Sequence, residues 1–307
     1  MKLSVILVSY DMAREIPRTL QGLSRTYQHG AQDLDYEVIL VDNGSPQKMD
    51  PASWAHVDVP LNFIQLENAP PSPAHAINVA AEQASGDILC LMIDGAHLLT
   101  PGVFSTALAC YAAYGDDTVV ATRYFWMGPE CQNDSIGKGY NKQVEDQLLA
   151  SINWPEDGYR LFEVGSPLRA GGENLTWLNR MFESNCLFLP RRLFESQGGA
   201  DERFDIPGGG FINLDIFNRA VEAPGVTAAQ LIGEGCFHQL HGGTTTNVTP
   251  QKRDAELESY KQQFEDIRGH RDFITTKTFM YMGRIPNEAA KIHKLSNDGK
   301  IAPGAWV

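Results

Sequence analysis

Gly86-Asp87-Ile88-Leu89-Cys90-Leu91-Met92-Ile93-Asp94-Gly95-Ala96-His97-Leu98-Leu99-Thr100-Pro101-Gly102 carries the clearest structural signal in the chain. The apolar run Ile88 to Ile93 is too short for a helix of ordinary length, and Gly86-Asp87 and Gly95 bound it. Such a run reads as a strand covered on both faces. Asp94 then stands where the strand stops, and Pro101 suits the first turn of a following helix. In open α/β sheets, ligands bind beyond the carboxyl ends of the strands. A carboxylate there, with His97 three residues on, serves a metal, a ribose hydroxyl or a phosphate; the alternative is that Asp94 caps a turn, as Asp before Gly does.

Outward from this strand the pattern repeats. Leu3 to Val8, Tyr36 to Val41, Leu61 to Leu66 and Thr118 to Phe125 read as further strands. Helices are expected from about Arg14 to Tyr27, from Ala74 to Ala84 and from Pro101 to Tyr114. Strands alternating with helices at this spacing predict right-handed βαβ units and a mostly parallel sheet. From Gly128 to about Thr176 the regularity fails, with one helix near Lys142 to Ile152, and the stretch reads as an insertion or lid. Order returns with a strand at Asn185 to Pro190, helices at Arg191 to Glu195 and Asn213 to Val221, a strand within Val226 to His238, and a charged helix from Pro250 to Ile267. The expected organisation is a nucleotide-binding half over residues 1–125, an acceptor and catalytic half over 126–248, and a C-terminal helical extension over 249–307 whose tail is a candidate surface for homodimer contact.

The 307-residue chain has 38 acidic against 25 basic residues, a net charge of −13, with no basic cluster. Nucleic acid and anionic membrane surfaces are therefore excluded as main partners. Its 43% apolar and 21% charged content is that of a globular protein. The chain enters a strand within two residues of Met1, without a basic leader or a run of transmembrane length, so neither signal peptide nor membrane anchor is expected. Cys90, Cys110, Cys131, Cys186 and Cys236 are odd in number and scattered, as in a reduced cytoplasmic protein rather than a disulfide framework or zinc site.

The turn after the first strand, Ser9-Tyr10-Asp11-Met12-Ala13-Arg14, has no glycine, and the chain has no P-loop, so dinucleotide and P-loop readings both fail. At successive strand ends stand Tyr10, Asp42 and Asp94 instead. That set suits a nucleoside: a ring to stack on the base, one carboxylate for base N–H groups, another for ribose hydroxyls or a metal. Stacking on an aromatic contributes about 1–3 kcal/mol per base.

Val8-Ser9-Tyr10, Val41-Asp42-Asn43-Gly44-Ser45, the Ala74-to-Gly86 helix and Leu91-Met92-Ile93-Asp94 through Thr100-Pro101-Gly102 together resemble family 2 inverting glycosyltransferases of GT-A fold. The resemblance continues in Asn185 to Pro190, Gly199-Ala200-Asp201-Glu202-Arg203-Phe204 and Gly208 to Arg219, and covers about residues 1–240. It implies a Rossmann-like sheet flanked by helices, and transfer of a sugar from a nucleotide-diphosphate donor to a glycan or glycolipid acceptor hydroxyl, with inversion, in polysaccharide or glycoconjugate synthesis. An acceptor of that kind would bring the protein to a membrane only peripherally. Ser9, Tyr10, Asp42, Asn43, Asp94 and Gly95 would line the donor site. Two rivals remain at this level: a catalytically idle nucleotide-sugar-binding protein, and a nucleotidyltransferase, which normally carries a basic Gly-rich loop that is missing here.

The chain departs from the family pattern twice. The family's Asp-x-Asp metal signature reads Asp94-Gly95-Ala96, so His97 substitutes for the second carboxylate, or a histidine from elsewhere joins Asp94, or there is no metal. Asn213 stands where the family usually keeps its base, leaving Asp215, Glu183 and, more weakly, Glu173 as candidates. GT-A enzymes often take a metal ligand from the region of His238-Gln239-Leu240-His241. Strand alternation separates His238 from His241 unless the chain turns, and it favours His241 beside Gly242-Gly243. The resemblance thus implies Mn2+ or Mg2+ held by Asp94, His97 and His241. Arg123, Arg169 and Arg180 are the cations that remain if there is no metal, and the sequons at Asn133, Asn174 and Asn247 count only on a secretory route.

Overall fold

The computed structural model describes residues 1–167, 177, 181–246, 248–290 and 292. In chain order the elements are β1 (Leu3–Ser9), α1 (Ile16–Gly22), β2 (Tyr36–Asp42), β3 (Leu61–Gln65), α2 (Ala74–Gln83), β4 (Ile88–Met92), β5 (His97–Leu99), α3 (Val103–Tyr114) and β6 (Thr118–Met127). There follow α4 (Gln132–Ile136), α5 (Lys142–Ser151), α6 (Leu161–Val164), β7 (Gly165–Pro167), β8 (Leu187–Pro190), α7 (Arg191–Ser196), α8 (Ile212–Glu222), β9 (Thr227–His238), α9 (Pro250–Arg268) and β10 (Phe279–Gly283). The strands form one sheet in the order β10-β9-β6-β8-β4-β1-β2-β3, with β5 on β9 and β7 on β6. Along the main path only β8 runs against its neighbours; β5 and β7 are also antiparallel. This is the mixed, mostly parallel sheet of a GT-A fold.

The alternation of side chains across each strand explains why the apolar runs are continuous. Ile6, Val8, Ile39, Val41, Leu89 and Leu91 pack on one face beneath α2 and α8. Leu3, Val5, Leu7, Val38, Leu40, Cys90 and Met92 pack on the other beneath α1 and α3. All of β1 and β4 is buried. Register then sets the functional edge. Ser9 pairs with Asp42, Leu7 with Met92 and Trp126 with His238, so the carboxyl ends of β1, β2, β4, β6 and β9 lie along one side of the sheet.

Several expectations need correction. The first helix is shorter than the expected Arg14–Tyr27, because the chain turns at Leu23, whose N–H closes on Leu20 and Gln21 carbonyls. His97, expected in a turn, opens β5, a three-residue strand too short for its pattern to be read; it pairs antiparallel to β9 with His97 opposite His238. The C-terminal extension is not purely helical, since β10 joins the sheet parallel to β9. All five cysteines are free thiols, with Cys90 and Cys186 sulfurs 3.6 Å apart. Glu173, Arg169, Arg180, Asn174, Asn247 and the tail lie outside the described residues.

Candidate active site

Two of the candidate groups stand at the tips of β1 and β2. Asp42 is fully buried; its Oδ1 accepts from the N–H and hydroxyl of Ser45, while its Oδ2 has no partner among the described residues. A buried, unpaired carboxylate oxygen is costly to keep and awaits a donor. Asp11 N–H also donates to Ser45 Oγ at 2.8 Å, so Ser45 ties the Tyr10 loop to the Asp42 loop. Tyr10 itself is 55% exposed, with its ring free to stack. Ser9 and Asn43 are buried and serve the scaffold: Ser9 Oγ donates to Val41 O, Asn43 N–H donates to Ser9 O, and Asn43 Nδ2 donates to Pro70 O at 2.9 Å.

Asp94 lies two residues beyond β4. Its Oδ1 accepts Ala96 N–H at 2.9 Å, which turns the Oδ2 toward two imidazoles. His238 Nε2 is 3.2 Å and His241 Nε2 3.0 Å from Oδ2, and the two nitrogens are 2.9 Å apart. Sequence alternation had favoured His241 alone. The structure brings both together because β9 ends at His238 and Gln239 N–H folds back onto Ala96 O at 2.7 Å. Gly95 allows this crowding: a Cβ there would lie 2.7 Å from Val8 O. Ala96 is wholly buried in the apolar cluster that contains Met12 and Ile16, so a second carboxylate at its position would lie in hydrocarbon.

His97 stands behind this group rather than in it. Its Nδ1 donates to the Asp94 carbonyl at 2.8 Å, and its ring packs edge-on against Tyr124 and His238. Burial drives its pKa down to about 3, against the pull of Asp94, so the ring is neutral and acts as a prop. Burial lowers His238 as well. Burial also opposes charge on His241, but Asp94 outweighs it and raises the pKa. Asp94 is held well below the carboxylate range, since the two histidines overcome its own desolvation. The loop carrying His241 is clamped by Glu145 of α5, whose Oε2 accepts Leu240 N–H at 2.7 Å while its Oε1 meets Arg14 at 3.2 Å.

The candidate bases separate clearly. Asp215 is 1% exposed, and both its oxygens are taken: Arg219 Nε at 2.8 Å, Arg268 Nε at 2.6 Å and Arg268 Nη2 at 2.9 Å. Guanidinium does not give up its proton, and through these bonds the carboxylate ties α8 to α9. Asn213, about 200° around the same helix, points the other way. Its Nδ2 donates to Glu183 Oε2 at 3.0 Å and to Asn185 Oδ1 at 3.1 Å. Burial raises the Glu183 pKa to about 7, partly offset by that hydrogen bond. Tyr124 links the regions: burial first, then the charges of Asp94 and Glu183, push its phenol up. Arg123, the neighbour of Tyr124, faces the other side of β6, and its Nη2 donates to Trp177 O.

Residues 4–154 match the model for Glycosyl transferase family 2. That segment, just under half of the chain, is similar to the family. No curated protein matches it significantly. Among solved structures it is similar to S. aureus TarS 1-349, at 15% identity and TM-score 0.52, covering 87% of this chain and 66% of that one. Longer TarS is matched at the same identity and TM-score over 87% of this chain and 40% of that one. TarS 1-349 in complex with UDP is matched at 15% identity and TM-score 0.50, with 87% and 66% covered. The chain therefore spans less than two thirds of these TarS chains, and the likeness is one of fold.

Asp94, His238 and His241 are the acid-histidine group among the described residues whose ligand atoms converge. Three atoms that can each offer an electron pair, at 2.9–3.2 Å from one another, have the spacing of neighbouring ligands around one ion with bonds of about 2.0–2.2 Å. The residues fit a divalent cation. Sequence reasoning missed Gln132 and Glu145, which hold the two histidines; neither lies in a motif, and no local signal marks them.

Proposed function

We propose that this protein is a metal-dependent inverting glycosyltransferase that moves a sugar from a nucleoside diphosphate to a hydroxyl of a glycan or glycolipid acceptor. The observation that carries the reading is the convergence of Asp94, His238 and His241 at the strand edge that also bears Tyr10 and Asp42. Tyr10 stacks on the base, and Asp42 Oδ2 accepts a base N–H. Asp94, His238 and His241 hold the cation. When bound, it neutralises the diphosphate as negative charge develops on it.

Glu183 is the base. Its carboxylate takes the acceptor proton as that oxygen attacks the anomeric carbon; the new C–O bond forms while the bond to the diphosphate breaks, and the diphosphate leaves with the electron pair. A single displacement inverts the anomeric centre. The amide of Asn213 suits this arrangement, because it donates to Glu183 where a second carboxylate would repel it. A pKa near 7 also suits a base working at neutral pH.

The donor set, with two imidazoles and one carboxylate, favours Mn2+ over Mg2+, which prefers oxygen ligands. TarS was solved with UDP, which makes uridine nucleotides the first to try. The test is release of free sugar and nucleoside diphosphate from a panel of nucleotide sugars, with Mn2+ and with chelator. Slow, Mn2+-dependent hydrolysis of at least one donor is expected. Binding of nucleotide sugars without hydrolysis or transfer would favour an idle binding protein, and neither binding nor hydrolysis would end the reading altogether.

A further inference from the structure

Gln132 makes two contacts to a single residue. It is fully buried in α4, with its Oε1 2.9 Å from His238 Nδ1 and its Nε2 3.0 Å from the His238 carbonyl oxygen. A carbonyl only accepts, so the amide nitrogen must face it. The amide oxygen then faces the ring, and because that oxygen also only accepts, Nδ1 must carry the hydrogen. A neutral imidazole has one N–H, which leaves Nε2 with a bare lone pair. That lone pair is directed at the corner where Asp94 Oδ2 and His241 Nε2 lie 3.2 and 2.9 Å away.

Ring packing cannot do this. Tyr124, Trp126 and His97 surround the His238 imidazole at centroid distances of 5.7, 5.3 and 5.0 Å. They fix its plane but are indifferent to which nitrogen is protonated. α4 is itself anchored beyond His241, since Asn133 Nδ2 donates to Thr245 O at 2.8 Å and Val248 O at 2.9 Å. The short helix thus braces the His238–His241 segment from both ends.

We propose that Gln132 is a positioning residue that locks His238 in its Nδ1–H tautomer and so presents the Nε2 lone pair to the cation. This rests on the metal-binding reading of the corner. Partners of this kind orient histidine ligands, and losing one typically costs 10–100-fold in metal affinity.

The experiment uses the full chain, stripped of metal and labelled with 15N-histidine. Long-range proton–nitrogen correlation spectra report the His238 tautomer, calorimetry with Mn2+ reports affinity, and thermal melting reports the fold. Wild type should show Nδ1–H. Gln132→Met, close in shape, should lose that tautomer preference and bind Mn2+ about 10–100-fold more weakly. Gln132→Glu, which keeps the acceptor, should retain both the tautomer and near-native Mn2+ affinity, and it supplies the contrast if the Met variant folds poorly. An Nε2–H tautomer in wild type, or native Mn2+ affinity in Gln132→Met, overturns the proposal, as does a Gln132→Glu variant that folds yet loses the tautomer. If wild type takes up no Mn2+ but shows a Gln132-dependent Nδ1–H tautomer, the metal reading falls and the positioning role stands.

Discussion

Asp94 and Asp215 make an instructive pair. Both follow motifs that invite a functional reading, both are shielded, and both are gripped by two cationic or potentially cationic side chains. Asp94 is held by imidazoles, whose ring nitrogens can give up a proton and offer lone pairs that face one another. Asp215 is held by guanidinium groups, which stay charged and saturate both of its oxygens. The first corner is organised around something it can receive; the second is closed. Position in a motif did not distinguish the two. The identity of the partner did.

The sharpest way to break this contrast is to exchange the roles. Glu183→Gln should lower turnover by about 10²–10⁴-fold with donor binding and fold intact, whereas Asp215→Asn should leave turnover per folded molecule within a few-fold of wild type. Wild-type turnover should also fall as pH drops through about 7, because the raised Glu183 pKa means the carboxylate is progressively protonated there. Stability has the opposite sign. The folded pKa lies above the ordinary 4.5, so the contribution of Glu183 is full below that value and is lost as pH rises through about 7. Glu183→Gln should therefore melt above wild type at pH 8 and with it at pH 4. A native pH profile in Glu183→Gln would remove the base.

Asp215 should matter for stability instead. Removing its charge leaves Arg219 and Arg268 partly buried beside a neutral side chain. Discounted for their partial exposure, the loss should be about 2–4 kcal/mol in chemical denaturation. An Asp215→Asn variant as stable as wild type, yet inactive, would reverse the assignment of the two carboxylates.

Much of this was legible in the sequence, and the reasons are physical. Leu3 to Val8, Tyr36 to Val41 and Ile88 to Met92 are largely apolar runs, interrupted only by Ser4 and Glu37, because both faces of those strands are covered, so their ends, and with them Tyr10, Asp42 and Asp94, could be found. Pairing between distant segments left no such trace. Gln132 meets His238 across 106 positions from a tract without periodicity. Arg268 reaches Asp215 across 53. The convergence of His238 and His241 depends on β9 stopping at His238, and a strand's end is what alternation predicts least well. His97 was expected in a turn because its three-residue strand is too short to show a period.

The central claim is that the Asp94 corner, and not a set of basic side chains, compensates the diphosphate. Calorimetric titration of UDP into wild type and His238→Ala, each with Mn2+ and with chelator, tests it most directly. The account predicts UDP affinity at least about tenfold higher with Mn2+ in wild type, and no such gain in a folded His238→Ala protein. Equal UDP affinity in chelator, or an undiminished Mn2+ effect without His238, would contradict it.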